Sequence, residues 1–185
     1  MRLRSLVIPF AVLAVAAALA APAAFAAPAA SFDRAFIDAM VPHHRMALEM
    51  AAAARKRGLK APVLKRIAAA ISATQAGEIA QMRAWRKAWY GAGVPQDAMA
   101  ASMDIGLSMD DMGMADDAAE IAAAANADAA FARLMVPHHQ GAVRMARLAL
   151  AKATHPALKQ LARAIIAGQT KEIRAMAPFV KPAGS

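Results

Sequence analysis

The stretch FIDAMVPHHRMALEM, Phe36–Met50, is written a second time, with changes, as FARLMVPHHQGAVRM, Phe131–Met145. Met40, Pro42, His43, His44, Ala47 and Met50 recur as Met135, Pro137, His138, His139, Ala142 and Met145, each displaced by 95 positions (135 − 40). The match reaches outward to Ser31, Asp33 and Phe36, which correspond to Asn126, Asp128 and Phe131. A second element follows each copy. QAGEIAQM at Gln75–Met82 returns as QTKEIRAM at Gln169–Met176, displaced by 94 (169 − 75). The chain is therefore two copies of one helix-loop-helix unit, and two helical hairpins make a four-helix bundle.

Composition agrees with an all-α fold. The 185 residues suit one ordinary domain, rich in alanine and poor in aromatics, which favours helices over strands. Repeat 1 is expected over about 31–90, a methionine-bearing linker over 91–125, and repeat 2 over about 126–180. Ser31 and Asn126 are suitable N-caps, and Asp33 and Asp128 two residues later favour the positive helix start. Gly58 and Pro62 close the first helix and open the second, which runs to Tyr90. His155 and Pro156 occupy the equivalent turn, and the fourth long helix extends to about Phe179. Pro42 and Pro137 fall inside the apolar pattern. The phase of Phe36 before and Met50 after predicts that the helix continues through the proline with a kink.

The amino end reads differently. Arg2 and Arg4 precede an apolar run, and Ala24-Phe25-Ala26 has the small-x-small cleavage pattern. Residues 1–26 are expected to be a secretory signal peptide, and the remaining 27–185 the bundle domain. Pro22 and Pro28 interrupt the apolar run before it reaches the roughly 20 residues a membrane span needs. Loss of Arg2 and Arg4 would leave 20 basic against 13 acidic residues. For an exported protein that balance indicates a solvated surface rather than a nucleic-acid partner. The chain has no cysteine, so it offers neither disulfides nor thiolate ligands.

At about 100° per residue, Phe36, Met40, His43, Ala47 and Met50 share one stripe, with His44 beside it and Pro42 on the opposite, solvent side. On the second helix Ile71, Gln75, Glu78, Met82, Trp85 and Trp89 form another stripe. The second repeat places Gln169, Glu172 and Met176 likewise. A carboxylate on a core-facing stripe is costly without a partner, and histidine or a cation can supply one. Methionine at helical spacing is ordinary core filler. Two His-His pairs in the same repeat position exceed what packing requires, however, and point to metal ligation. His155 stands alone in a turn and calls for no ligand. Trp85, Trp89 and Tyr90 are expected to seal the bundle end against the linker. In that linker Met109, Met112 and Met114 either pack onto the bundle or form a soft, sulfur-only site. Asp117–Ala125 is expected to hold a short connecting helix.

The Met-x-x-His-His-x-x-Ala-x-x-Met element at Met40–Met50 and Met135–Met145, each followed by Gln-x-x-Glu-Ile-x-x-Met, resembles a bacterial exported domain-of-unknown-function family. The resemblance spans the whole chain after the leader. It implies a ferritin-like four-helix bundle and a periplasmic copper-binding role tied to copper resistance. It further implies copper ligation by Met40, His43, Met50, Met135, His138 and Met145, with His44 and His139 as additional ligands. Gln75, Glu78, Met82, Gln169, Glu172 and Met176 would then support the site as a surrounding shell. Thioether and imidazole favour Cu(I) over hard ions. The expected partners are copper ions and other periplasmic copper-handling proteins. Two alternatives belong to other classes. A ferritin-like di-metal oxidase would want Glu-x-x-His motifs, which the chain lacks. A metal-free helical interaction module would leave the doubled histidines without a purpose.

Overall fold

A computed structural model describes residues 32–95, 104–114 and 117–180. The leader, the Ser31 cap and the Met99 and Met103 part of the linker lie outside the described residues. Four long helices dominate: α1, Phe32–Arg57; α2, Pro62–Tyr90; α5, Ala127–Lys152; and α6, Pro156–Met176. Short helices α3 (Met109–Met112) and α4 (Asp117–Ala123) lie between the hairpins, and a 3₁₀ turn at Ala177–Phe179 closes the described chain. The last long helix thus stops as an α-helix at Met176, three residues before the expected end.

Local chemistry accounts for the boundaries. Asn126 Oδ1 accepts from the Ala129 amide at 3.1 Å, the expected N-cap. Pro62 and Pro156 occupy the first turns of α2 and α6, where a missing N–H costs nothing. Gly91 ends α2 at φ +71°, in the left-handed region that suits glycine. Both α1 and α5 run unbroken through their internal prolines. Pro42, however, is buried rather than solvent-facing. The end of α2 and the following chain cover it, since Arg83, Val94 and Pro95 share a cleft with it.

Each hairpin packs along its length, α1 on α2 and α5 on α6, and the hairpins join chiefly through α1 and α5. Two core clusters show how. Phe36 and Met40, early in α1, pack with Ala142, Met145 and Ala149, late in α5. Ala47, Met50 and Ala54, late in α1, pack with Phe131 and Met135, early in α5. The two helices are therefore antiparallel, and an approximate twofold axis passes between them. The α2–α6 side is looser.

The paired aspartates do more than favour their own helix starts. Asp33 is fully buried and reaches across the axis to the start of α6. There it accepts from the Thr154 amide (2.9 Å), the Thr154 hydroxyl (2.9 Å), the His155 amide (2.8 Å) and His155 Nδ1 (2.6 Å). Asp128 reciprocates at the start of α2, accepting from the amides of Lys60 and Ala61 at 2.8 Å each. Each hairpin thus satisfies amides ahead of a helix in the other. His155 also stacks on Trp89, ring centroids 3.7 Å apart. Trp89 thus seals the bundle end against the α5–α6 turn, and Trp85 and Trp89 pack on the same core cluster as Val94 and Leu107 of the linker. On the same side a buried Arg86–Asp38 pair, Nε to Oδ1 2.7 Å, fastens α2 to α1.

Candidate metal centre

The prolines precede histidines that point into the bundle, and all four histidine side chains are fully buried. His43 and His138 meet at the axis with ring centroids 3.8 Å apart. His44 and His139 flank them at 6.2 and 6.3 Å from their own neighbours. The two Met-Val-Pro-His-His segments are thus side by side, as the repeat requires.

Three of these rings have one nitrogen engaged by oxygen. His44 Nε2 donates to Glu78 Oε2 at 2.8 Å, and His139 Nε2 to Glu172 Oε2 at 2.7 Å. His43 Nε2 donates to the Met112 carbonyl at 2.8 Å. Holding Nε2 as the donor leaves Nδ1 as the lone-pair atom, the arrangement by which supporting carboxylates and carbonyls orient metal-binding histidines. The Nδ1 atoms of His43, His44 and His139, and both ring nitrogens of His138, are buried and have no hydrogen-bond partner among the described residues. Glu78 and Glu172 each accept from one histidine of the repeat they follow.

Burial keeps the central pair neutral. Removal from water pushes the His43 pKa down to about 3, and the neighbouring His44 adds to the shift. Burial likewise depresses His138 well below its usual value, with His43 the next contributor. An unfolded chain protonates these rings near pH 6.5, so below that pH the unfolded state binds more protons. Stability must then fall as pH drops from about 6.5 toward 3. Urea unfolding at pH 7 and pH 5 is expected to give a lower midpoint at pH 5, and His43→Phe is expected to reduce the difference.

The methionines divide by cluster. Met40, Met82 and Met145 pack together on one side of the histidines, while Met50, Met135 and Met176 pack on the other. The four motif methionines therefore form two pairs, Met40 with Met145 and Met50 with Met135, in place of a single sulfur shell. The linker breaks the symmetry. Met112 is fully buried in the Met40 cluster, and Met109 and Met114 pack at its edge partly buried. Among the described residues, one side of the axis thus gathers six methionines and the other three. Among the described residues, no three of His, Cys, Asp and Glu are placed to hold a metal ion. A site here would need thioether sulfur to complete it.

Three contributors went unread in the sequence. Met112 acts through its carbonyl, which periodicity cannot reveal. It reaches His43 because α3 is capped by Ser108 and Asp111 and anchored by Arg144, whose Nε donates to the Asp111 carbonyl at 2.6 Å. Gly141 makes room. A Cβ there would lie 1.8 Å from the Met112 oxygen. Gly113, at φ +66°, passes Pro137 so closely that a Cβ would fall 2.5 Å from the proline carbonyl. A signal did exist, since Gly141 replaces Met46 of the first repeat. Gly141→Ala is expected to displace α3, break the Met112–His43 bond and cost about 2 kcal/mol or more. Faster proteolytic cleavage near residues 108–114, with the long helices retained by circular dichroism, would register it.

These features define a class: an all-α bundle duplicated from one hairpin, with paired buried histidines at its centre. The sequence profile described as "Domain of unknown function (DUF305)" matches residues 29–180, and the chain belongs to this family. Solved structures agree. CopM in its Cu(I)-bound form is 33% identical with a TM-score of 0.68, over 80% of this chain and 94% of that one. CopM in its Cu(II)-bound form is 36% identical with a TM-score of 0.66, over 80% and 94%. A DUF305 protein of Streptomyces coelicolor, provisionally assigned as secreted, is 29% identical with a TM-score of 0.70, over 80% and 91%. Comparison with curated proteins gives no significant match. No described helix is long and apolar enough to cross a membrane.

Proposed function

We propose that this protein is an exported copper-binding protein that sequesters or passes on copper as cargo, without catalysing a reaction. One observation carries the reading: four neutral or carboxylate-oriented imidazoles converge at the axis with unpartnered nitrogens, between two clusters of buried thioethers. Soft sulfur and borderline imidazole suit Cu(I) and disfavour oxygen-preferring ions. The metal-bound CopM structures, similar in fold and at about a third identity, support copper as the ion. Location outside the cytoplasmic membrane draws support from the leader-like first 26 residues and from the Streptomyces relative.

His43 and His138 would bridge the two sides, with His44 and His139 held ready by their glutamates. Met40 and Met145, joined by Met112, make the richer sulfur side. A di-metal oxidase has less support, because that chemistry calls for Glu-x-x-His motifs, which the chain lacks. Metal analysis of the protein isolated after growth with added copper or iron tests the reading directly. Copper at one or more ions per chain is expected, and iron in its place would reject it.

A further inference from the structure

The loose α2–α6 side of the bundle holds a cavity of about 90 Å³, lined among others by Thr74, Gln75, Glu78, Gln169 and Glu172. The twofold axis brings together the two Gln-x-x-Glu elements here, one from each repeat. Gln75 and Gln169 are only 3% and 5% exposed, and the side-chain oxygen of each is buried with no hydrogen-bond partner in the protein. A buried amide oxygen left without a partner costs about 1–3 kcal/mol, and the repeat carries that cost twice. On each glutamate Oε2 accepts from a histidine, which leaves Oε1 for a ligand. Among the described residues no lysine or arginine lines this cavity.

We propose that this cavity is a second cation site, which takes a divalent ion that prefers oxygen ligands. Its donors are Oε1 of Glu78 and Glu172 and the amide oxygens of Gln75 and Gln169. These are different atoms from the imidazole nitrogens and thioethers of the copper reading, and they are of opposite chemical hardness. The volume admits an ion that keeps part of its water shell, since one water needs only about 10–15 Å³ by this measure. Access is open, because the glutamate side chains are 14% and 21% exposed while the glutamines lie deeper. A cation would give the two unpartnered amide oxygens their missing partner and balance two carboxylates that now have only histidines opposite them. The amides' depth and the twofold pairing separate this arrangement from a surface acidic cluster.

Mn(II) is a suitable probe, because the electron paramagnetic resonance signal of the free aqua ion reports binding directly. Titration of the metal-free protein is expected to show one Mn(II) per chain, with a Kd on the order of 10⁻⁴ M for a donor set with only two charged ligands. Glu78→Gln combined with Glu172→Gln should raise that Kd at least tenfold with helix content unchanged. The pair Gln75→Leu and Gln169→Leu should weaken binding as much. It should also leave the metal-free thermal midpoint unchanged or higher, because it removes two unpartnered acceptors. A purely structural pair of glutamines would lower the midpoint instead. Absence of saturable binding up to about 1 mM Mn(II), or binding that both double variants leave intact, would overturn the proposal.

Discussion

Replacing Met40, Met50, Met135 and Met145 together with leucine is expected to weaken Cu(I) binding by on the order of a hundredfold or more, about 2.8 kcal/mol, and Zn(II) binding by roughly threefold at most. Leucine keeps the volume and apolar character of methionine, and such exchanges cost less than about 1.5 kcal/mol each, so the bundle should survive. What it loses is sulfur. Cu(I) accepts both thioether and imidazole, whereas zinc gains little from methionine. The two clusters allow a sharper form of the test. Met40→Leu with Met145→Leu removes sulfur from the side that Met112 joins, with Met109 and Met114 at its edge. Met50→Leu with Met135→Leu removes it from the side that, among the described residues, Met176 alone supplements. If sulfur holds the ion, the Met40–Met145 pair should cause the larger loss of the tighter-binding copper. Competition with a colorimetric Cu(I) chelator measures both. An unchanged affinity in the folded quadruple variant would leave histidine alone as the binding element.

Asp33→Ala is expected to cost about 3 kcal/mol of folding stability, a substantial share of the 5–15 kcal/mol that holds a typical domain together. The carboxylate is fully buried, and its loss would strand the Thr154 and His155 groups that now donate to it. It would also remove the link by which the first helix of one repeat caps the second helix of the other. Asp128→Ala breaks the matching link, but its partners are more exposed. Water can replace the carboxylate there, and about 1 kcal/mol should be lost. Acid should reproduce the larger effect. Burial raises the pKa of Asp33, but hydrogen bonds from His155 and Thr154 outweigh that and hold it below the usual carboxylate value. Its contribution is therefore complete above pH 4 and disappears as pH falls through the lowered folded value. Urea unfolding of the wild type and both alanine variants at pH 7, repeated near pH 3, would show the Asp33 difference shrinking in acid.

Much of the bundle was legible because the same hairpin occurs twice. Internal duplication supplies what one sequence otherwise lacks, an independent second sample of the pattern. Coincident His-His pairs, methionines and Gln-x-x-Glu elements stood out from ordinary core filler for that reason. Helical phase then placed Met40, His43 and Met50 on a buried face, and His43 beside His138 followed from burying two like stripes against each other. Phase failed at Pro42, because the cover over that face comes from the end of α2 and the chain after it. It was also silent on Trp89, whose stacking partner His155 belongs to the other hairpin.

By itself the sequence determined the all-α class, the duplication, the helix limits near Gly58, Pro62, Tyr90 and Pro156, and the inward placement of Met40, His43 and Met50 with their counterparts in the second repeat. Those properties depend on interactions within a few turns, which periodicity and capping residues encode directly. Only the tertiary structure decided which groups share a site. It sorted the methionines into two clusters, set the Met112 carbonyl on His43, sent Asp33 and Asp128 across the axis, and brought Gln75 and Gln169 to one cavity. Each of these joins residues from different helices or the linker. Their distances are set by how the two hairpins pack, and local backbone preference carries no information about that.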